Sequence, residues 1–98
     1  MNHWAVDIEF RTDKSIEAEE LMERQGSLMD LSAVGIWKRD AMGGGFDLAI
    51  DIDGDSMDAA NYATQRVRAA LEGYDLQIIA IRVITWEQFE AEHGRSYP

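Results

Sequence analysis

The residues from Phe46 to Asp53 alternate strictly between large apolar and mostly acidic side chains, and this pattern restricts the fold more than any other feature of the chain. Side chains of a β-strand point alternately to the two faces of a sheet, so a period of two predicts a strand that is buried on one face only. The segment from Trp4 to Phe10 repeats the pattern. We therefore expect two strands of one sheet that has a packed face and an acidic face.

A helix and a further strand are predicted between these two segments. Ser15 is expected to cap the helix, which carries acidic residues in its first turns, has a helical spacing of apolar residues and ends near Gly26. The further strand is predicted around Ile36. The run Gly43-Gly44-Gly45 favours a hairpin turn after it, because glycine reaches positive φ without strain.

The second half of the chain repeats the order helix then strand. Asp55 or Ser56 is expected to cap an alanine-rich helix that runs to about Glu72. The segment from Leu76 to Ile84 is apolar in both phases, and its β-branched residues and its length favour a strand over a helix. The spacing in Thr85-Trp-Glu-Gln predicts a capping box that starts a short final helix.

The resulting order βαββαβ predicts an α+β fold, a ferredoxin-like sandwich. We expect a four-stranded antiparallel sheet of order 4-1-3-2 with two helices on one face and the short helix at the C-terminal end. Residues 1–93 are predicted to form a single domain, and residues 94–98 are expected to be a flexible tail.

The other face of this sheet is expected to be open and to bind a partner. Its central strands would present acids, and its edges would add an aromatic residue and two arginines. The predicted partner-binding residues are Asp7, Glu9, Trp37, Arg39, Asp47, Asp51, Asp53 and Arg82. Arg82 is expected to neutralise Asp7 or Glu9 across the strand pair. The last strand is apolar on both faces, so self-association as a homodimer is predicted through Ile78, Ala80 and Ile84.

The charge balance and the residue usage exclude several classes of function. The chain has 9 Lys and Arg against 19 Asp and Glu, for a net charge of −10. This charge repels nucleic acid and anionic membranes and attracts basic proteins. The absence of cysteine excludes thiol catalysis, disulfides and thiolate metal sites. The N-terminal segment has neither a basic leader nor a long apolar run, so a cytoplasmic location is expected.

No motif for catalysis, a cofactor or a metal is found in the sequence. The run from Asp51 to Asp58 has acids at alternate positions, but its glycine is misplaced for a calcium loop and Tyr62 occupies the position of the bidentate glutamate. His3 and His93 have no ligand or triad partner at a diagnostic spacing. We therefore predict no metal site and no cofactor, and we favour a protein that is not an enzyme.

Three segments carry a resemblance to a known group of proteins. They are the opening Trp4-Ala-Val-Asp-Ile-Glu-Phe, the strand Gly-Gly-Phe-Asp-Leu-Ala-Ile-Asp-Ile that runs into an alanine-rich helix, and the closing Ile81-Arg-Val-Ile-Thr-Trp-Glu-Gln-Phe. In these segments the chain resembles small uncharacterised proteins of actinobacterial viruses and their hosts. The resemblance implies an accessory protein that binds a host protein or a second copy of itself, and it brings no catalytic residues.

Three functions are compatible with the sequence. The leading hypothesis is a small, acidic, non-enzymatic module that binds a protein through the open sheet face. The alternative is a dimeric α+β barrel that binds a small ligand or acts as an enzyme, with His3, Trp4 or Asp7 near the mouth of its pocket. The third is an acidic mimic of DNA, in which the glutamates of the first helix extend the acidic sheet.

Overall fold

The computed structural model describes residues 2–31 and 35–93, and the predicted tail at 94–98 lies outside them. The strands are β1 (Asn2–Thr12), β2 (Gly35–Asp40), β3 (Gly43–Ile52) and β4 (Leu76–Thr85). The α-helices are α1 (Ala18–Gln25), α2 (Ser56–Ala70) and α3 (Trp86–His93), and a 3-10 helix (Gly26–Leu31) follows α1. No helix in the described residues is long and apolar enough to cross a membrane.

The four strands form one antiparallel sheet in the order β2-β3-β1-β4. Read from the opposite edge, this order is 4-1-3-2. β1 and β3 are the central strands, and their long pairing runs from Asn2 opposite Ile52 to Arg11 opposite Gly43. The fold is therefore of the α+β class, with helices packed on one face of an open antiparallel sheet.

The hydrophobic core lies between this sheet and the helices α1 and α2. The apolar residues between Val6 and Phe10 of β1 and between Phe46 and Ile50 of β3 are fully buried there, and they meet small residues of α2 such as Ala59 and Ala63. Phe10 and Phe46 pack with their ring centroids 5.8 Å apart. The alternation in the sequence thus corresponds to the two faces of the sheet: the apolar side chains face the core, and the acidic side chains lie on the other face.

The two helices begin in different ways. Asp55 caps α2, because its carboxylate accepts the N–H of Asp58 while the Asp58 side chain accepts the N–H of Asp55. The expected cap at Ser15 is wrong, since α1 begins at Ala18 after Glu17 without a side-chain cap. The reason lies in Ile16, which is buried and donates its N–H to the Ala41 carbonyl at 2.9 Å. This anchor keeps the preceding segment out of the helix.

The glycine run is part of β3, and the predicted turn at Gly43-Gly44-Gly45 is wrong. The turn lies at Ala41 and Met42. A Cβ on Gly44 would overlap the carbonyl oxygen of Trp37, and a Cβ on Gly45 would overlap the Trp37 ring. These glycines are required by the close approach of β2, and not by a turn.

A β-bulge divides β4 and changes the face on which its residues lie. Arg82 pairs with Asp7 and Ala80 pairs with Glu9, but the register then shifts so that Ile78 pairs with Phe10. Ile78 therefore packs against the core, and its expected place on the open face is wrong. The extra residue of the bulge is Ile79, which is 47% exposed.

The final helix α3 turns back over the β1–β4 side of the sheet. The predicted capping box forms, because the Thr85 hydroxyl accepts the N–H of Gln88 while the Gln88 side chain accepts the N–H of Thr85. Trp86 and Phe89 stack with centroids 4.8 Å apart. Ala5, whose strand phase is opposite to that of the core residues, is only 4% exposed. The face that α1 and α2 leave uncovered is thus partly covered by α3.

Candidate interaction surface on the open sheet face

We define the open face as the side of the sheet opposite α1 and α2. The strand registers place on it most of the residues that the sequence predicts: Asp7, Glu9, Trp37, Arg39, Asp47, Asp51, Ala80, Arg82 and Ile84. Two predicted residues are not part of it. Ile78 packs against the core, and Asp53 lies in the bend that follows the end of β3.

Trp37 of β2 and Glu9 of β1 lie on either side of Gly45, where β3 has no side chain. Both residues pair with Gly45, from β2 and from β1 respectively, and the Trp37 ring lies where a side chain of residue 45 would be. The Arg39 side chain of β2 extends across β3 and forms an ion pair with Glu9 of β1. Because glycine has no side chain, residues of β2 can contact β1 across an intervening strand.

Asp7 and Asp47 lie directly opposite each other on the two central strands. Both side chains are partly buried, and their carboxyl groups are in hydrogen-bonding contact. Burial of Asp47, together with the hydrogen bond and the charge of Asp7, raises the pKa of Asp47 to about 7. The centre of the open face is therefore a pair of carboxyl groups for which full ionisation at neutral pH is unfavourable.

Arg82 does not form the expected ion pair with Asp7 or Glu9. It lies opposite Asp7 in the strand register, but its Nη2 donates to Oε2 of Glu92 in α3 at 2.7 Å. This hydrogen bond and the charge of Glu92 raise the pKa of Arg82. The interaction fastens α3 to the open face, and it leaves the two aspartates without an ion-pair partner in the described part of the chain.

His3 is a residue of this surface that the sequence prediction leaves out of the binding set. Its Nδ1 lies 2.5 Å from Oδ1 of Asp51, which is its direct partner in the β1–β3 register. A spacing of 48 residues gives no local signal for this pair. Only the strand register, once known, would have identified it.

The end of the open face near α3 has a hollow of about 340 Å³. Its walls come from β1, the end of β4 and the first turns of α3: Asn2, His3, Thr85, Trp86, Glu87 and Glu90. Among the described residues, no group of three or more His, Cys, Asp and Glu side chains is arranged to hold a metal ion. The side chains that line the hollow offer polar and aromatic contacts.

Part of the negative charge of the open face is paired with a cation of the same face. Glu9 is paired with Arg39, and Asp51 contacts His3. The Glu9–Arg39 ion pair neutralises part of the predicted acidic surface, whereas the Asp7–Asp47 pair has no such partner among the described residues.

Comparisons with known proteins give no match to any family model, to any curated protein or to any solved structure.

Proposed function

We propose that this protein is a small, acidic, non-enzymatic accessory module that binds a basic protein segment through the open sheet face. We further propose that its βαββαβ arrangement is of the ferredoxin-like type. The resemblance to proteins of actinobacterial viruses adds the proposal that it is a viral protein directed at a host protein. The observation that carries the binding proposal is the Asp7–Asp47 pair at the centre of the face, next to the partly exposed Trp37.

A cationic side chain of a partner would have a physical reason to bind at this pair. Two adjacent carboxyl groups on a partly buried surface disfavour ionisation of both, and a nearby positive charge reverses that preference. Arginine fits best, because its planar guanidinium can bind two carboxylates at once and can also stack on an aromatic ring. The net charge of −10 would draw a basic partner towards the protein before contact.

The packed interior makes the small-ligand alternative less favourable. The space between the sheet and the helices is filled by large, fully buried side chains that include Phe10, Phe46 and Ile8. The partial neutralisation of the open face also weakens the DNA-mimic alternative, since Arg39 and Arg82 interrupt the row of acids. A protein-binding surface tolerates such mixed charges, because electrostatic complementarity selects the partner.

Two charge reversals test the proposal. Asp51→Lys lies on the open face, where the Asp51 side chain is 54% exposed, and Glu19→Lys lies on the exposed surface of α1. Both variants have the same net charge, so long-range attraction of a basic partner is equal in the two. We expect the immobilised wild type to retain a basic protein from the cell that produces it, Asp51→Lys to lose it, and Glu19→Lys to retain it.

The outcomes separate the explanations. Equal loss in both variants would assign the binding to overall charge, and no loss in either would place the contact away from the open face. Circular dichroism and the melting temperature of each variant serve as controls for folding.

Self-association through β4 stays a prediction with a changed set of residues. Ala80 and Ile84 lie on the open face, whereas Ile78 belongs to the core. The exposed isoleucines of this edge strand are Ile79 and Ile81, at 47% and 39%. The bulge interrupts the edge at Ile79, and such interruptions oppose edge-to-edge pairing of sheets. Sedimentation that shows a strict monomer at high concentration would contradict the predicted homodimer.

A further inference from the structure

Two carboxyl groups face each other at the centre of the sheet. Asp7 of β1 is the direct register partner of Asp47 of β3, and the two side chains are in hydrogen-bonding contact. An ionised carboxylate can only accept hydrogen bonds, so a hydrogen bond between two carboxyl groups requires one proton. Two ionised carboxylates in these positions would repel each other, and one proton bound between the two central strands would remove that repulsion.

The cation on the β4 side, Arg82, does not neutralise the Asp7–Asp47 pair in place of this proton. Arg82 is the residue of β4 that faces Asp7, and its guanidinium contributes a favourable charge interaction with Asp7. However, its hydrogen bond goes to Glu92 of α3 at 2.7 Å. Glu92 thus competes with Asp7 for the arginine, and its own negative charge lies on the same side of the pair.

Among the described residues of β2, none brings a cation to Asp47 either. The residue of β2 that faces Asp47 is Gly35, and an ideal Cβ at position 35 would lie 2.6 Å from Oδ2 of Asp47. The Asp47 carboxyl group therefore occupies the space over this glycine, where it loses part of its contact with water. The arginine of β2, Arg39, is paired with Glu9.

We propose that Asp7 and Asp47 form a proton switch, which holds one shared proton in the folded sheet and releases it to solvent as the pH rises. The effect of burial and of Asp7, which together raise the pKa of Asp47 to about 7, supports this assignment. With the proton bound, the pair has one negative charge, and after its release it has two on adjacent strands. The charge of the open face thus changes by one unit, and this change requires no partner, so the inference does not depend on the proposed function.

Carboxyl carbon NMR of the full chain between pH 3 and pH 9 tests the switch. We expect one aspartate of the wild type to titrate with a midpoint of about 7, and this transition to be absent in Asp47→Asn. In Asp7→Asn the Asp47 midpoint should fall towards the ordinary aspartate value of about 4 without reaching it, because burial, the largest cause of the raised pKa, remains. Asp51→Asn, which removes another acid of β3 from the same face, should leave the midpoint unchanged.

Two results would overturn the inference. If every aspartate of the wild type titrates with a midpoint below about 5, the pair holds no proton beyond the ordinary range. If Asp7→Asn leaves the Asp47 midpoint near 7, burial alone raises it and the proton is not shared. The wild-type titration needs no variant, so a variant that fails to fold does not prevent the decision.

Discussion

Replacement of Gly44 by alanine should destabilise the protein, although it adds only one methyl group. The new Cβ would lie closer than 3.0 Å to the carbonyl oxygen of Trp37, and also 3.4 Å from Cδ2 of Leu21 and 3.5 Å from Cα of Lys38. The first of these atoms belongs to the backbone of β2, which cannot rotate away as a flexible side chain would. The strands β2 and β3 must therefore move apart.

The cost can be worked out from known core substitutions. Inserted groups that force backbone shifts cost about 1–3 kcal/mol, and in a domain of this size each kcal/mol lowers the melting temperature by about 4–8 °C. We therefore expect Gly44→Ala to melt about 5–20 °C below the wild type. Thermal unfolding followed by circular dichroism measures the difference.

Two other glycines provide matched controls. Gly26 has helical φ and no atom within 4 Å of an added Cβ, so Gly26→Ala should leave stability unchanged or raise it by up to about 1 kcal/mol. Gly73 also has open space around it but has φ of +99°, so Gly73→Ala should cost about 1–2 kcal/mol through backbone strain alone. The three variants separate a steric clash from a conformational penalty.

The decisive result is the stability of Gly44→Ala together with amide hydrogen exchange of the wild type. A melting temperature within about 1 °C of the wild type would refute the close approach of β2 to β3, because that approach leaves no space for a methyl group. Rapid exchange of the Gly44 amide would place the glycine run in an exposed turn instead of a strand. Slow exchange together with a large loss of stability would support the strand.

Three further predictions concern charge, capping and packing. Because the pKa of Asp47 is raised, the wild type should lose stability as the pH rises from about 4 to about 7. The loss is about 4 kcal/mol at most, and about 1–2 kcal/mol once exposure to solvent is allowed for. Asp47→Asn should remove this part of the pH dependence. Urea unfolding at pH 4 and pH 8 measures this, and a constant difference between the two proteins would contradict it. Asp55→Ala should cost about 1 kcal/mol because it removes the cap of α2, whereas Ser15→Ala should have no effect on stability; equal losses in urea unfolding would contradict the assigned caps. Ile50→Val should cost about 0.5–1.5 kcal/mol and Ile81→Val almost nothing, because Ile50 is fully buried and Ile81 is 39% exposed; calorimetry that shows the reverse order would contradict the assigned core.

The parts of the fold that follow from local chemistry are predictable from the sequence. The alternation from Phe46 to Ile52 reports directly on the two environments of β3, since each apolar side chain is drawn into the core. The capping boxes at Asp55 and Thr85 are likewise set by residues three positions apart. In these cases the interacting groups are neighbours in the chain, and the physical reason for the structure is contained in a short segment.

The failed predictions depend on contacts between distant segments. A glycine run is compatible both with a turn and with a close approach of two strands. Only the position of Trp37 on β2 distinguishes the two structures. The bulge at Ile79 moves Ile78 into the core, and no pattern within β4 signals it, because the strand is apolar in both phases. The partners of Arg82 and His3 also depend on register and on the course of α3, which the sequence does not reveal.

The acids of this protein have different physical roles according to their surroundings. Glu19 and Glu23 lie on the exposed surface of α1 and Glu17 directly precedes it, where water screens each charge and the acids contribute mainly to the long-range field. Asp7 and Asp47 lie partly buried between strands, where each charge strongly affects the other. Under the proposed function, attraction of a basic partner should therefore depend on salt through the whole surface, whereas recognition at contact should depend on the acids of the open face, with this pair at their centre. Because only the second effect requires a defined position in the sheet, the proposed function predicts that substitutions on the open face change which partner is bound, and that substitutions on α1 change only the salt-dependent attraction.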